Sequence, residues 1–236
     1  MSDFNRLPIS AVILTKNEER NISDCIDSLQ EFDQIFVVDS QSHDKTKQIA
    51  HSKSTHVIDF IWNGKYPKKK QWCLDNLNFK NSWILFLDAD ERISISLKNE
   101  LHTFLKGVDH EYAAGEIQLR YFFMKKELKY GRRISKISLV KRDQCHFPEI
   151  SDLAAPGSWE VEGHYQPSVR GKIYKFTEKI LHDDNDAVAS WFKRHLMYAE
   201  WEAYIQKNTS LRDQIKKYKT SQARRSEEHT SELQSH

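Results

Sequence analysis

Two aspartates flank a single alanine at the end of the apolar run WILFLDAD, residues 83–90. Such a run reads as a buried strand, and a buried strand that ends on acids faces a ligand there. Paired carboxylates are hard oxygen donors. Asp88 and Asp90 therefore suit Mg²⁺ or Mn²⁺ bound to a diphosphate, with the ion neutralising a departing phosphate. Asp39 closes a second apolar run in VVDSQSHDKT. Its carboxylate can accept hydrogen bonds from a base or ribose, while Asp44 is the better candidate to cap the helix that follows. Thr15, Asn17 and Glu18 fall in the turn after a first apolar run, where capping competes with binding. In PKKK, residues 67–70, one lysine can serve as a charged phosphate binder, and the run is too short for nucleic-acid contact. Glu160 and Glu162 stand two apart in WEVEGH and share a side if extended. Either could act as a general base toward a hydroxyl, or both could belong to a charged surface strand. His182 precedes two aspartates and could add a metal ligand, or mark a surface turn.

The elements that must hold these residues alternate. Short β-branched or apolar runs at residues 9–15, 34–39, 55–60 and 83–87 predict strands. Helical spacing predicts helices at 21–29, 44–52 and 68–77. Strand and helix in alternation predict an α/β domain with a mostly parallel sheet covered by helices. Such sheets bind ligands at the carboxyl ends of their strands, where the polar residues above converge. The second half is less regular. Strands are expected at 115–123 and 137–141, a hairpin around Arg170-Gly171 within 169–176, and a long aromatic helix at 187–207.

Composition bounds the function. The 236 residues are 39% hydrophobic and 11% aromatic, enough for a packed core. A net charge of only +2 argues against a dedicated nucleic-acid binder. The three cysteines are widely spaced with no CxxC, so reduced thiols in a cytoplasmic protein are expected rather than disulfides or structural zinc. No stretch approaches the roughly 20 apolar residues of a membrane span, and no signal core is evident at residues 1–9. Peripheral attachment to the cytoplasmic face of the inner membrane is left open.

AVILTKNEERNI, VVDSQSHDKT, YPKKKQWCLD, WILFLDADER, WEVEGHYQP and the HDD before the aromatic helix together resemble family 2 glycosyltransferases of the GT-A fold. The similarity extends to bacterial enzymes of lipopolysaccharide-core and exopolysaccharide assembly. It implies a Rossmann-like α/β domain over 1–185, followed by a C-terminal helical segment over 186–224 that the adapter-like tail described below would leave truncated. It also implies inversion at the anomeric carbon, a UDP- or GDP-sugar donor, Mg²⁺ or Mn²⁺, and a glycan or lipid-linked acceptor. On the matching motifs, Thr15, Asn17, Glu18 and Asp39 would hold the nucleoside, with Lys70 a basic residue near the donor. Asp88 would contact ribose and metal, Asp90 the metal, and His182 the metal or diphosphate. Glu162, or else Glu160, would activate the acceptor. The family's glycine-containing DSGSTDGT stands here as DSQSHDKT, so Gln41 and Lys45 are expected to send this loop along a different backbone path. Alternatives are a metal-dependent nucleotidyltransferase, distinguished by release of pyrophosphate, and a non-catalytic sugar-nucleotide binding module.

Residues 225–236, RSEEHTSELQSH, resemble the translation of a sequencing-library adapter. They are expected to be a non-native tail that makes no core contacts.

Overall fold

The computed structural model describes residues 6–218, apart from 54, 108, 131–133, 157, 163–164 and 186. The tail at 225–236 and the Gly163-His164 pair of the WEVEGH motif lie outside the described residues. The chain divides into two units, one comprising Met1–Ile61, Asn76–His146 and Val169–Asn185, the other Trp62–Asp75, Phe147–Ser168 and Asp186–His236.

The first unit is built on a nine-stranded sheet. Its strands are β1 (Leu7–Thr15), β2 (Phe32–Asp39), β3 (His56–Asp59), β4 (Trp83–Asp88), β5 (Glu91–Ile93), β6 (Tyr112–Phe123), β7 (Lys126–Glu127), β8 (Ser135–Lys141) and β11 (Lys172–Asp183). Two-residue strands β9 (Cys145–His146) and β10 (Ser168–Val169) stand outside it. Helices α1 (Ile22–Asp27), α2 (Thr46–Ser52) and α4 (Ile95–Gly107) flank the sheet, and α3 (Lys69–Asn76) lies largely in the other unit.

The strand order is β3-β2-β1-β4-β8-β6-β11-β5, with β7 hairpinned onto β6. From β3 to β4 every pairing is parallel, as the strand–helix alternation predicts. The other half is mixed: β8 runs antiparallel to both β4 and β6, and β5 antiparallel to β11, while β6 and β11 are parallel. Register does the positioning. Thr15 pairs with Asp39 and Leu14 with Asp88, so three strands deliver their last residues to one edge. The strands through this region are apolar on both faces: Ala11, Ile13, Val37, Val38, Leu85 and Leu87 are fully buried. Burying side chains of this kind contributes about 1.5–3 kcal/mol each for the larger ones.

Two expectations change. Residues 169–176 do not form a hairpin, because β10 pairs with β9 and β11 pairs with β6 and β5. Gly171 only turns the chain, at φ 149°, into a twelve-residue strand running through to Asp183. Residues 159–162 are not a strand, so extended alternation does not place Glu160 and Glu162 on one side.

In the second unit, α5 (Val188–Lys207) and α6 (Thr209–Lys217) follow one another. Trp201 and Ile205 of α5, and Leu211 and Ile215 of α6, pack with Ile150, Ala155 and Tyr165 in a separate apolar cluster. The C-terminal helices thus share a core with segments from earlier in the chain. Beneath it lies a buried ion pair, Lys68 Nζ to Asp152 Oδ2 at 2.8 Å, with the Tyr66 hydroxyl donating to Asp152 Oδ1 at 2.7 Å.

Candidate active site

In the first unit the β1–α1 turn and the β2–α2 loop are stitched together. Asn17 N–H donates to Ser42 Oγ (2.7 Å), His43 N–H to Asn17 Oδ1 (2.9 Å), and Glu18 N–H to Thr46 Oγ1 (2.8 Å). The Glu18 carboxylate accepts from the Asn21 amide at 2.8 Å. Asp39 is fully buried and accepts from both the N–H (2.8 Å) and the hydroxyl (2.5 Å) of Ser42. Asp44, expected to cap α2, instead precedes the N-cap residue Lys45, and its carboxylate accepts the N–H of Thr46, the first residue of α2, at 3.0 Å. Thr15, Asn17, Glu18 and Asp39 are therefore brought together, and each also helps to build the loops.

Gln41 adopts φ 57°, the left-handed conformation that glycine favours. At this position the backbone goes where a glycine would take it, at a cost of about 1–2 kcal/mol for a residue with a Cβ. Replacing Gln41 with Gly should therefore leave stability unchanged or raise it by up to about 1 kcal/mol, the gain being offset by a more flexible unfolded chain. A lower midpoint of urea denaturation would contradict this.

Past β4 the acids gather. Asp90 Oδ1 lies 3.5 Å from Nδ1 of His182, and both atoms are buried without a hydrogen-bond partner. Burial raises the Asp90 pKa to about 6. His182 opposes the shift, while Asp88, Glu91 and Asp184 add to it. The Asp88 side chain is half exposed and accepts from Lys136 Nζ at 3.0 Å. Lys136 also reaches Glu91 Oε1 at 2.6 Å, and Glu91 is completely buried. Glu91 in turn accepts the Asp88 N–H at 3.0 Å and so holds the strand end. Burial alone would lower the Lys136 pKa, but Asp88 and Glu91 outweigh it and hold the value well above the ordinary lysine range. The strand register brings these groups together: His182 of β11 pairs with Glu91 of β5 on one side and Tyr121 of β6 on the other.

Among the described residues no group of three His, Cys, Asp or Glu side chains is arranged to hold a metal ion alone. The donors that are present still fit a hard divalent ion. Asp90 Oδ1 and His182 Nδ1 are buried and uncommitted to any hydrogen bond. Such ions are commonly held by one or two protein donors plus substrate phosphates.

The second unit holds Lys70, Glu160 and Glu162. Glu162 is buried, and its carboxylate accepts the N–H groups of Lys70 (2.8 Å) and Gln71 (3.1 Å) at the start of α3. Lys70 Nζ donates to the Glu162 carbonyl at 3.0 Å. Burial raises the Glu162 pKa, against the pull of Lys70 and the two backbone N–H groups. Glu160 contributes its carbonyl to the Lys69 N–H at 2.7 Å.

Glu91, Lys136 and Tyr121 were not among the residues singled out in the sequence. Glu91 stood in plain view in DADER. Lys136 lies 45 residues further along, and nothing in its local context marks it. The three cysteines are free thiols, as expected, and all three are buried.

A family model for "Glycosyl transferase family 2" matches residues 10–197. The chain belongs to this family. It is 39% identical over 121 residues to an uncharacterised glycosyltransferase of Rickettsia bellii (strain RML369-C), covering 50% of this chain and 40% of the relative. It is 35% identical over 109 residues to the lipopolysaccharide core biosynthesis glycosyltransferase LpsC of Rhizobium meliloti (strain 1021), covering 44% of this chain and 39% of LpsC. The chain thus spans about two fifths of the length of these curated relatives. Among solved structures, S. aureus TarS 1-349 aligns with a TM-score of 0.38 at 24% identity, over 48% of this chain and 35% of TarS. Glucosyl-3-phosphoglycerate synthase from Mycobacterium tuberculosis, in complex with Mn²⁺, UDP and glucosyl-3-phosphoglycerate, aligns with a TM-score of 0.34 at 23% identity, over 48% and 43% of the two chains.

Proposed function

We propose that this protein is an inverting glycosyltransferase that takes a sugar from a nucleotide diphosphate donor, UDP- or GDP-linked, and passes it to a glycan or lipid-linked acceptor in surface polysaccharide synthesis. Family membership supports the reaction class, and similarity to LpsC supports the lipopolysaccharide setting. The observation that carries the reading is the buried, uncommitted Asp90–His182 pair beside Asp88 at the end of a parallel strand.

In this reading Thr15, Asn17, Glu18 and Asp39 line the nucleoside end of the donor site. Asp88 meets the ribose, and Asp90 with His182 would hold Mg²⁺ or Mn²⁺ against the diphosphate. The ion would offset the negative charge that builds on the leaving diphosphate. Lys136 holds Asp88 in place and leaves Asp90 free to bind. Lys70 adds positive charge on the donor side. Glu162 takes the proton from the acceptor hydroxyl as that oxygen attacks the anomeric carbon. Two of the roughly four lone-pair sites of its carboxylate are used by backbone N–H groups, and the raised pKa suits a base. No described helix is long and apolar enough to cross a membrane. Working in the cytoplasm, at or near the membrane face, is part of the proposal.

The direct test is calorimetric titration with UDP and GDP, each with and without Mn²⁺. Metal-dependent binding of one nucleotide is expected, and binding of neither overturns the reading. Release of pyrophosphate during turnover would favour nucleotidyl transfer instead. A further prediction separates the base from the binder. Glu162→Gln should keep UDP affinity while transfer falls by roughly 10²–10⁴-fold. Full single-turnover transfer in Glu162→Gln with loss in Glu160→Gln would move the role to Glu160.

A further inference from the structure

A pocket of about 500 Å³ opens in the first unit, lined by β6, by Glu127 of β7 and the chain that follows it (Leu128–Tyr130 and Ile134), and by Lys179 of β11. Its size lies within the range of small-ligand sites. Arg120, Lys129 and Lys179 bring three positive charges to its wall, against one acid, Glu127. Glu127 is taken up by Arg120, whose Nε lies 3.6 Å from its carboxylate. Lys129 and Lys179 have no acidic partner among the described residues. Tyr130, almost entirely exposed, and Tyr121 add aromatic surface of the kind on which sugar rings stack.

The pocket is separate from the residues assigned to the nucleoside, yet it shares a wall with the acids. β6 lies three places from β1 in the sheet, about 14 Å at ordinary strand spacing. Tyr121, a lining residue, packs edge-on against His182 with ring centroids 4.7 Å apart. His182 in turn lies 3.5 Å from Asp90. A ligand in the pocket therefore lies two side chains, Tyr121 and His182, away from Asp90.

We propose that this pocket is the acceptor subsite and that it takes an anionic glycan, a sugar carrying phosphate or carboxylate, whose charge is met by Lys129 and Lys179. The assignment rests on the glycosyltransferase reading above. Arg120 orients the wall through Glu127, and Tyr121 sets the spacing to the acids.

The test uses the full chain and three probes at matched concentration: glucose 6-phosphate, glucuronate and glucose. Binding is followed by saturation-transfer NMR. At least one charged sugar should bind roughly ten-fold more tightly than glucose, a difference of about 1.4 kcal/mol. Comparison of the two tells phosphate from carboxylate. The double variant Lys129→Gln/Lys179→Gln should bring the charged sugars to the level of glucose, with glucose itself unchanged. Lys125→Gln, on the turn but outside the lining, should have no effect. Equal binding of all three sugars, or charged-sugar binding that survives the double variant, overturns the proposal. So does binding to phosphatidylglycerol vesicles that the double variant abolishes while the sugars bind to neither protein, which would make this a lipid-headgroup site. UDP titration with Mn²⁺ on the same proteins reads the donor site independently. Intact UDP binding beside failed sugar discrimination removes only the acceptor subsite, whereas loss of UDP binding in the unaltered chain removes the glycosyltransferase reading itself.

Discussion

Asp90→Asn should abolish Mn²⁺-dependent UDP binding and, in chelator-treated protein at pH 7.5, raise the melting temperature. Both effects have one cause. Asp90 Oδ1 is buried and without a hydrogen bond, and burial, then the neighbouring acids, lift the carboxyl pKa from 3.8 to about 6 against the opposing effect of His182. The folded protein therefore holds this proton more tightly than the unfolded chain does. Its contribution to stability is favourable at low pH, falls as pH rises from about 4 to 6, and is then fully lost. The ionised carboxylate costs on the order of 2–3 kcal/mol above pH 6, at about 1.4 kcal/mol per unit. Asparagine carries no such cost. For a chain of this size the gain corresponds to about 4–12 °C, shrinking toward zero near pH 4. Mn²⁺ should raise the melting temperature of the original protein and leave the variant unmoved. A variant that melts lower at pH 7.5, or that binds UDP with undiminished metal dependence, contradicts the role given to Asp90.

Lys136→Met should be the most destabilising single change in the first unit that leaves the apolar core untouched. Glu91 is completely buried, and its partner Nζ lies 2.6 Å away. Taking away one member of a buried pair strands the other charge, at a cost of about 3–5 kcal/mol. Pairing also explains the pH profile. The Lys136 pKa is raised by Asp88 and Glu91 over the lowering effect of burial, so the stabilisation is fully present below the ordinary lysine value and fades only above it. The loss should accordingly be the same at pH 7 and pH 9. Adding Glu91→Gln to Lys136→Met should recover much of it, because neither remaining group is charged. Thermal melts of the two single variants and the double variant form the cycle. Strict additivity would mean that the two residues do not act as a pair.

The parallel half of the sheet was legible because each strand there is an unbroken apolar run followed by polar residues, as in ISAVILT–KNEE and WILFLD–AD. Their ends converge because parallel strands must. α4 is equally legible, since Leu97, Leu101 and Phe104 stand at helical spacing directly after DADER. The mixed half was harder. β8 and β11 alternate charge and apolar residues over short stretches, and their partners are set by register, not by local sequence. The same reason hid Lys136: a lysine in a half-buried strand looks like any surface lysine until β8 is laid beside β4 and β6. Glu160 and Glu162 were both legible in WEVEGH, and the resemblance to known motifs favoured Glu162. That its carboxylate also receives the first N–H groups of α3 could not be read from spacing, since the two segments are about 90 residues apart in sequence.

The β6–β7 hairpin turns through Met124 and Lys125, both at positive φ, beyond the last residue that β6 pairs with β11, which is Phe122. Register along β11 is pinned well before that turn, so lengthening or rewriting the tip leaves His182 opposite Tyr121 and Glu91. The molecule therefore separates a fixed part from an interchangeable one. Sequences grafted between Phe123 and Ser135 would redecorate the pocket while the β6–β11 register holds His182 opposite Tyr121; on the acceptor-subsite proposal, gene duplication could then vary the acceptor around one unchanged donor site.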